Sequence, residues 1–149
     1  MMREAHEKVP MWLTGFCLMT NHFHLLSWPN EDGVLNRWTQ WLMTSHVRRY
    51  HRHYKGSGHV WQGRFKAFPV QSDEPYLTVL RYVERNPLRA NMVERSQDWE
   101  WSSLKPTVRS GPEGLLCYLP ILKPAQWIRH DNGVETEAEF QALRHSLAR

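Results

Sequence analysis

Residues 33–72 contain no aspartate or glutamate, forty positions in a row, yet they carry Arg37, Arg48, Arg49, Arg52, Lys55, Arg64 and Lys66. A stretch with a formal charge of +7 cannot neutralise itself, so its cations must face water, acids elsewhere in the fold, or a polyanion. The whole chain is only +4, which leaves the other residues at −3. An isoelectric point near 9.3 therefore reports one basic segment and not a uniformly basic protein. Trp38, Trp41, Tyr50, Tyr54, Trp61, Phe65 and Phe68 are interleaved with the cations, together with four histidines. Cations neutralise phosphates and aromatic faces stack on bases, so this mixture suits single-stranded nucleic acid. The plainer alternative is a solvated helix whose tryptophans belong to the core.

The 149 residues give room for one ordinary domain with a real core. Hydrophobic residues make up 41% and charged residues 23%, as in globular proteins, and the mean hydropathy is −0.63. No apolar run approaches the ~18 residues that a membrane-spanning helix needs. Residues 1–8 are polar and include acids, unlike a signal or transit peptide. Cys17 and Cys117 stand one hundred residues apart, with neither a disulfide framework nor metal-ligand spacing. Reduced thiols in a cytoplasmic protein are the expectation, away from secreted, disulfide-stapled or membrane classes.

Along the chain, residues 3–8 read as the end of a helix. Apolar residues 11–18 and 23–28 flank the turn candidate Met19-Thr20-Asn21 and read as a hairpin. Pro29 to Gly33 ends the second strand, and a helix follows over residues 34–54, with Leu35, Trp38, Trp41 and Leu42 as its apolar stripe. Gly56-Ser57-Gly58 breaks it, and Gly63 marks a basic loop. Residues 65–71 read as a third strand, held to an edge or a bulge by Pro69. Ser72-Asp73-Glu74-Pro75 starts a helix over residues 73–85 that should stop at Asn86-Pro87. Residues 88–93 add a short helical turn. Prolines 106, 112, 120 and 124 then punctuate a loop-rich region, and residues 136–148 form a last helix candidate. The expected division is a domain over residues 1–93 and an extension over residues 94–149.

His22 and His24 sit at i and i+2 of the second strand. Residues so spaced share a face, so both imidazoles could reach one divalent ion, although two half-exposed strand histidines are the commoner occurrence. Tyr82 lies on a helix with Asn86 one turn further along the same face. A helical tyrosine is ordinarily core with its hydroxyl at the surface; the alternative is a nucleophile, with Asn86 offering an amide oxygen to a metal. The conjunction of these groups with the basic aromatic segment in one small chain is what favours chemistry.

Four runs in order carry a resemblance: Met19-Thr20-Asn21-His22-Phe23-His24-Leu25-Leu26, His59-Val60-Trp61-Gln62-Gly63-Arg64-Phe65-Lys66, Arg81-Tyr82-Val83-Glu84-Arg85-Asn86-Pro87-Leu88-Arg89-Ala90, and Trp101-Ser102-Ser103. Together they resemble the REP-associated tyrosine transposases, which are HUH-type single-tyrosine transposases. The resemblance implies an α/β (α+β) chain with a ferredoxin-like antiparallel sheet and helices on one face. It implies His22 and His24, with Asn86 as third ligand, holding Mg²⁺ or Mn²⁺, and Tyr82 as the nucleophile. It implies cleavage and rejoining of single-stranded DNA hairpins, of the repetitive extragenic palindrome type, through a 5′-phosphotyrosine. Arg48, Arg49, Arg52, Lys55, Arg64 and Lys66 would then follow the DNA backbone, with Trp61 or Phe65 stacking on bases. A cytoplasmic, nucleoid-associated protein follows, with a homodimer left open.

Thr20 stands where the family usually has proline. The family's first strand and most of a helix are expected to be missing ahead of Met1, and that strand lies inside the sheet. Its loss would leave two ladders of unpaired backbone groups, so poor solubility and weak cleavage are expected of the 149-residue form. The runner-up function is a catalytically silent, truncated DNA-binding remnant; an RNA-binding module comes third.

Overall fold

A four-residue turn, closed by a hydrogen bond from the Met19 N–H to the His22 carbonyl (2.9 Å), joins β1 (Trp12–Leu18) to β2 (Phe23–Trp28). The two strands form an antiparallel sheet, and helices make up most of the remaining regular structure, which gives an α+β fold. The structure is a computed structural model that describes residues 1–70, 73–105, 115–117 and 123–133, with single positions 136 and 141; residues 73–75 are described as backbone. None of the described helices is long and apolar enough to cross a membrane. The residues divide into two compact units, Met1–Trp12 with Trp28–Ala67, and Leu13–Ser27 with Phe68–Arg149.

In the first unit α1 (Met2–Lys8) packs on α2 (Val34–Tyr54), with Ala5 and Met11 fully buried. Gly33 opens α2 in the left-handed region at φ 76°, a conformation that glycine adopts without strain. The buried stripe is Val34, Trp38, Thr39 and Leu42. It differs from the apolar pattern of the sequence: Leu35 and Trp41 are only half-buried, while Thr39 is inside. The Thr39 hydroxyl makes that burial cheap by donating to the Leu35 carbonyl one turn back, at 2.7 Å. Beyond α2 the chain folds back on the helix. His51 Nε2 meets the Gly58 carbonyl at 2.9 Å, and the Trp61 indole N–H donates to the Met43 carbonyl at 3.4 Å.

In the second unit α3 (Asp73–Arg89) lies on the hairpin. Its Tyr76, Val79, Leu80 and Val83, at i, i+3, i+4 and i+7, join Cys17, Leu26, Leu104 and Trp127 in one core. The approach is close enough to require a glycine on the strand: a Cβ on Gly15 would lie 2.4 Å from Leu80 Cδ1. A 3-10 turn (Ser96–Asp98) and α4 (Trp127–Asn132) pack on α3. The outer edge of β1 is covered by later chain. Leu18 N–H donates to the Trp101 carbonyl, Ser103 N–H to the Phe16 carbonyl and Cys117 N–H to the Leu13 carbonyl, at 2.7–2.9 Å. Cys17 and Cys117 are free, and burial pushes the Cys17 thiol up to about 12.

Two sequence expectations are corrected here. Residues 65–70 form no strand; only Phe65 and Val70 are half-buried, which is no period-two face, and Pro69 has no N–H to give a ladder. Gln71 lies outside the described residues, as does most of the helix candidate at 136–148. The third helix does not stop at Asn86-Pro87 but runs through Pro87 to Arg89. A proline in the last turn removes a single hydrogen bond, and Pro87 is fully buried. The real stop is a left-handed residue, Asn91, at φ 53°. Its N–H donates to the Leu88 carbonyl and the Met92 N–H to the Pro87 carbonyl, the paired bonds of a Schellman cap.

Candidate active site

His24 enters the site from β2, and His22 from the turn just before it. Their rings meet edge to face with centroids 4.9 Å apart. The Tyr82 ring, on α3, stands edge to face against His24 at 5.7 Å. Burial, with the His22 and Arg89 charges beside it, pushes His24 down to about 4. Near neutral pH it is therefore the neutral imidazole, the form that can ligate a metal.

The donor set fits part of a metal site. His24 Nε2 is buried with no hydrogen-bond partner. His22 Nδ1 is taken by Asn21 Oδ1 at 2.7 Å, which leaves Nε2 as its outward atom. Asn86 Nδ2 donates to the Tyr82 carbonyl at 2.8 Å, which leaves Oδ1 as the acceptor end of its amide. Among the described residues there is no group of three His, Cys, Asp or Glu that could hold a metal ion.

Two features escaped the sequence reading. Arg89 lies over the Tyr82 ring at 4.8 Å. Seven residues separate them, two turns of helix and the same face, but ending the helix at Arg85 removed Arg89 from that face. The second is Glu84, fully buried two residues past Tyr82. Its carboxylate accepts from Ser103 Oγ, Lys123 Nζ and Trp127 Nε1, each at 2.7 Å. Ser103 Oγ in turn accepts the Phe16 N–H at 3.1 Å. One carboxylate thus ties the helix of Tyr82 to β1 and to α4. Trp101-Ser102-Ser103, visible in the sequence as a motif without a role, supplies the hydroxyl in that chain.

The basic residues lie in the first unit. Arg48, Arg52, Lys55, Arg64 and Lys66 are exposed, and none has an acidic partner among the described residues. Arg49 differs, being paired with Glu4 of α1. Trp61 and Phe65 are half-buried, and the Trp61 ring lies tilted against His46 with centroids 4.9 Å apart.

A tyrosine-bearing helix thus stands against a histidine pair, and comparison with known proteins gives the class of the chain. The family described as IS200-like transposase matches residues 1–86, and the chain belongs to it. The chain is also similar to a curated protein of Haemophilus influenzae named as a REP-associated tyrosine transposase. The two are 27% identical over 120 residues, which is 72% of this chain and 67% of that protein. No solved structure matches.

Proposed function

We propose that this chain cleaves and rejoins single-stranded DNA hairpins, with Tyr82 as the nucleophile. The observation that supports the reading most is the contact of the Tyr82 ring with His24, itself against His22, in a chain of the IS200-like transposase family. The Tyr82 hydroxyl loses its proton and its oxygen attacks the scissile phosphorus. The bond to the 3′-oxygen breaks, and that oxygen takes up a proton to leave as a free 3′-hydroxyl. The product is a 5′-phosphotyrosine, which keeps the phosphodiester energy so that a second 3′-hydroxyl can displace it without ATP. His22 and His24, with the Asn86 amide oxygen, would hold Mg²⁺ or Mn²⁺; what a bound cation supplies is polarisation of the phosphate and stabilisation of its charge. Arg89, over the Tyr82 ring, offers a cation beside the attacking group. The unpaired cations of α2 and the following loop follow the DNA backbone, and hairpins of the repetitive extragenic palindrome type are the substrate class.

The test is a labelled single-stranded hairpin incubated with the protein and Mn²⁺, then denatured. A covalent adduct is expected. Tyr82→Phe should abolish it with DNA binding retained, and His22→Ala, His24→Ala or a chelator should each remove it too. An adduct persisting in Tyr82→Phe would reassign the nucleophile. Binding by the native chain with no adduct would favour the silent DNA-binding remnant.

A further inference from the structure

The first unit has a groove of about 320 Å³ on a face of α2 that the basic loop does not cover. Val9 forms one wall, and Arg37, Trp41, Thr44, Ser45 and Arg48 line it. Their spacing, at steps of three and four, places them in one row along a single helix, so the geometry is set by α2 itself. Trp61 covers Met43 and His46 instead, and His46 lies roughly 140° around the helix from Trp41 at 100° per residue. The two tryptophans thus serve different faces.

Three observations fix what the groove would take. An indole in the apolar stripe of an amphipathic helix is expected inside, yet Trp41 is only half-buried and lines open space. Arg37 and Arg48 stand at the two ends of the row, their backbones about 16 Å apart along the axis at 1.5 Å per residue. The Arg37 guanidinium rests on Glu31, and long arginine side chains can turn inward over that span when a phosphate enters. No lining residue is acidic. Glu31 is paired with Arg37, so an incoming anion shares that arginine; Glu4 is taken up by Arg49, and Arg48 has no partner among the described residues. Thr44 and Ser45 add hydroxyls that can donate or accept between the two cations.

We infer that this groove is a second nucleotide subsite, where an unpaired base of single-stranded DNA stacks on Trp41 and the flanking phosphates meet Arg37 and Arg48. The inference rests on the single-stranded DNA reading above and adds to it a place and a base requirement. A duplex cannot use the site, because its base faces are already stacked. An acidic peptide could meet the arginines but has no base for the indole.

The experiment uses the full chain and a single-stranded oligonucleotide carrying 5-bromodeoxyuridine, with irradiation and peptide mapping. Cross-linking to Trp41 is expected, in the peptide between Arg37 and Arg48. In binding measurements, Trp41→Ala should weaken the oligonucleotide about tenfold, the cost of one lost base stack, while an abasic oligonucleotide should bind the native and variant chains alike. Trp41→Tyr keeps an aromatic face and should restore most of the affinity, which separates stacking from damage to the helix. Arg48→Gln, at an exposed position, should reduce the salt slope by about 0.7, one phosphate contact on a single strand. Binding that persists with cross-links only elsewhere, or with Trp41→Ala and Arg48→Gln unchanged, overturns the subsite alone. No binding of single-stranded DNA by the native chain overturns both this subsite and the DNA reading beneath it.

Discussion

The two units of the molecule treat charge in opposite ways. On α3, Arg89 over the Tyr82 ring is exposed, but the ionic groups on its inner face are inside. Glu84 is fully buried and receives three donors, and Arg85 gives its guanidinium to the carbonyls of Asp131 and Gly133. Along α2 and its following loop the ionic groups are outside, and most have no partner among the described residues. Buried, fully bonded charges cost desolvation but fix geometry, because each must keep its partners. Exposed, unpaired cations fix nothing and leave their field available to a polyanion. One unit is built for the placement of atoms and the other for attraction.

The comparison breaks first at Glu84. Glu84→Ala removes at once the carboxylate that accepts from Ser103, Lys123 and the Trp127 indole, and should cost about 3–5 kcal/mol in urea unfolding. A cost under ~1 kcal/mol would show that the network is not structural. Next comes Gly15→Ala, where the added methyl meets Leu80 Cδ1 in a filled core; a loss of about 2–3 kcal/mol is expected. Adduct formation should fall more than stability does, since the displaced helix carries Tyr82.

Asp131 gives the pH test. Burial, reinforced by the Glu84 charge, pushes its carboxyl up to about 6, against the Ser96 hydroxyl and the Arg85 and Arg81 guanidiniums. A folded-state value above the unfolded one means that the folded chain binds the extra proton. The contribution of this group therefore rises as pH falls from 7 toward 4 and is lost as pH climbs through about 6. The size is on the order of 3 kcal/mol, and Asp131→Asn should flatten that part of the stability–pH curve. A curve of unchanged slope in the variant would contradict it. The smallest effect on stability belongs to the other unit: Arg52→Gln with Lys55→Gln should shift unfolding by less than ~0.5 kcal/mol. The same pair should lower the salt slope of DNA binding by about 1.4.

Elements with strong local signals were legible in the sequence. The hairpin, α2 and the start of α3 follow from alternation, helical period and capping residues, and the His22, His24 and Tyr82 cluster follows from motif order. What was not legible depended on distant partners. Trp41 and Thr39 exchange their expected burial because the helix period alone does not decide which of two adjoining faces a neighbour covers. Residues 65–70 have strand-like composition, but one buried face is needed to make a strand and none forms. Arg89 was hidden by a proline that local rules treat as a stop and that the buried last turn tolerates. Glu84 was unreadable because its three donors lie 19, 39 and 43 residues downstream.

The cover on the outer edge of β1 bears on the order in which the molecule can assemble. A lone hairpin is marginal in water, and Phe16 waits for Ser103, 87 positions later, to complete its flank. At a synthesis rate of ~5–20 residues per second, that interval is roughly 4–17 s. His22, His24 and then Tyr82 leave the ribosome before the segment that anchors their scaffold. A half-made chain therefore holds the His22, His24 and Tyr82 side chains without their alignment, and the geometry of the cluster is completed late in translation.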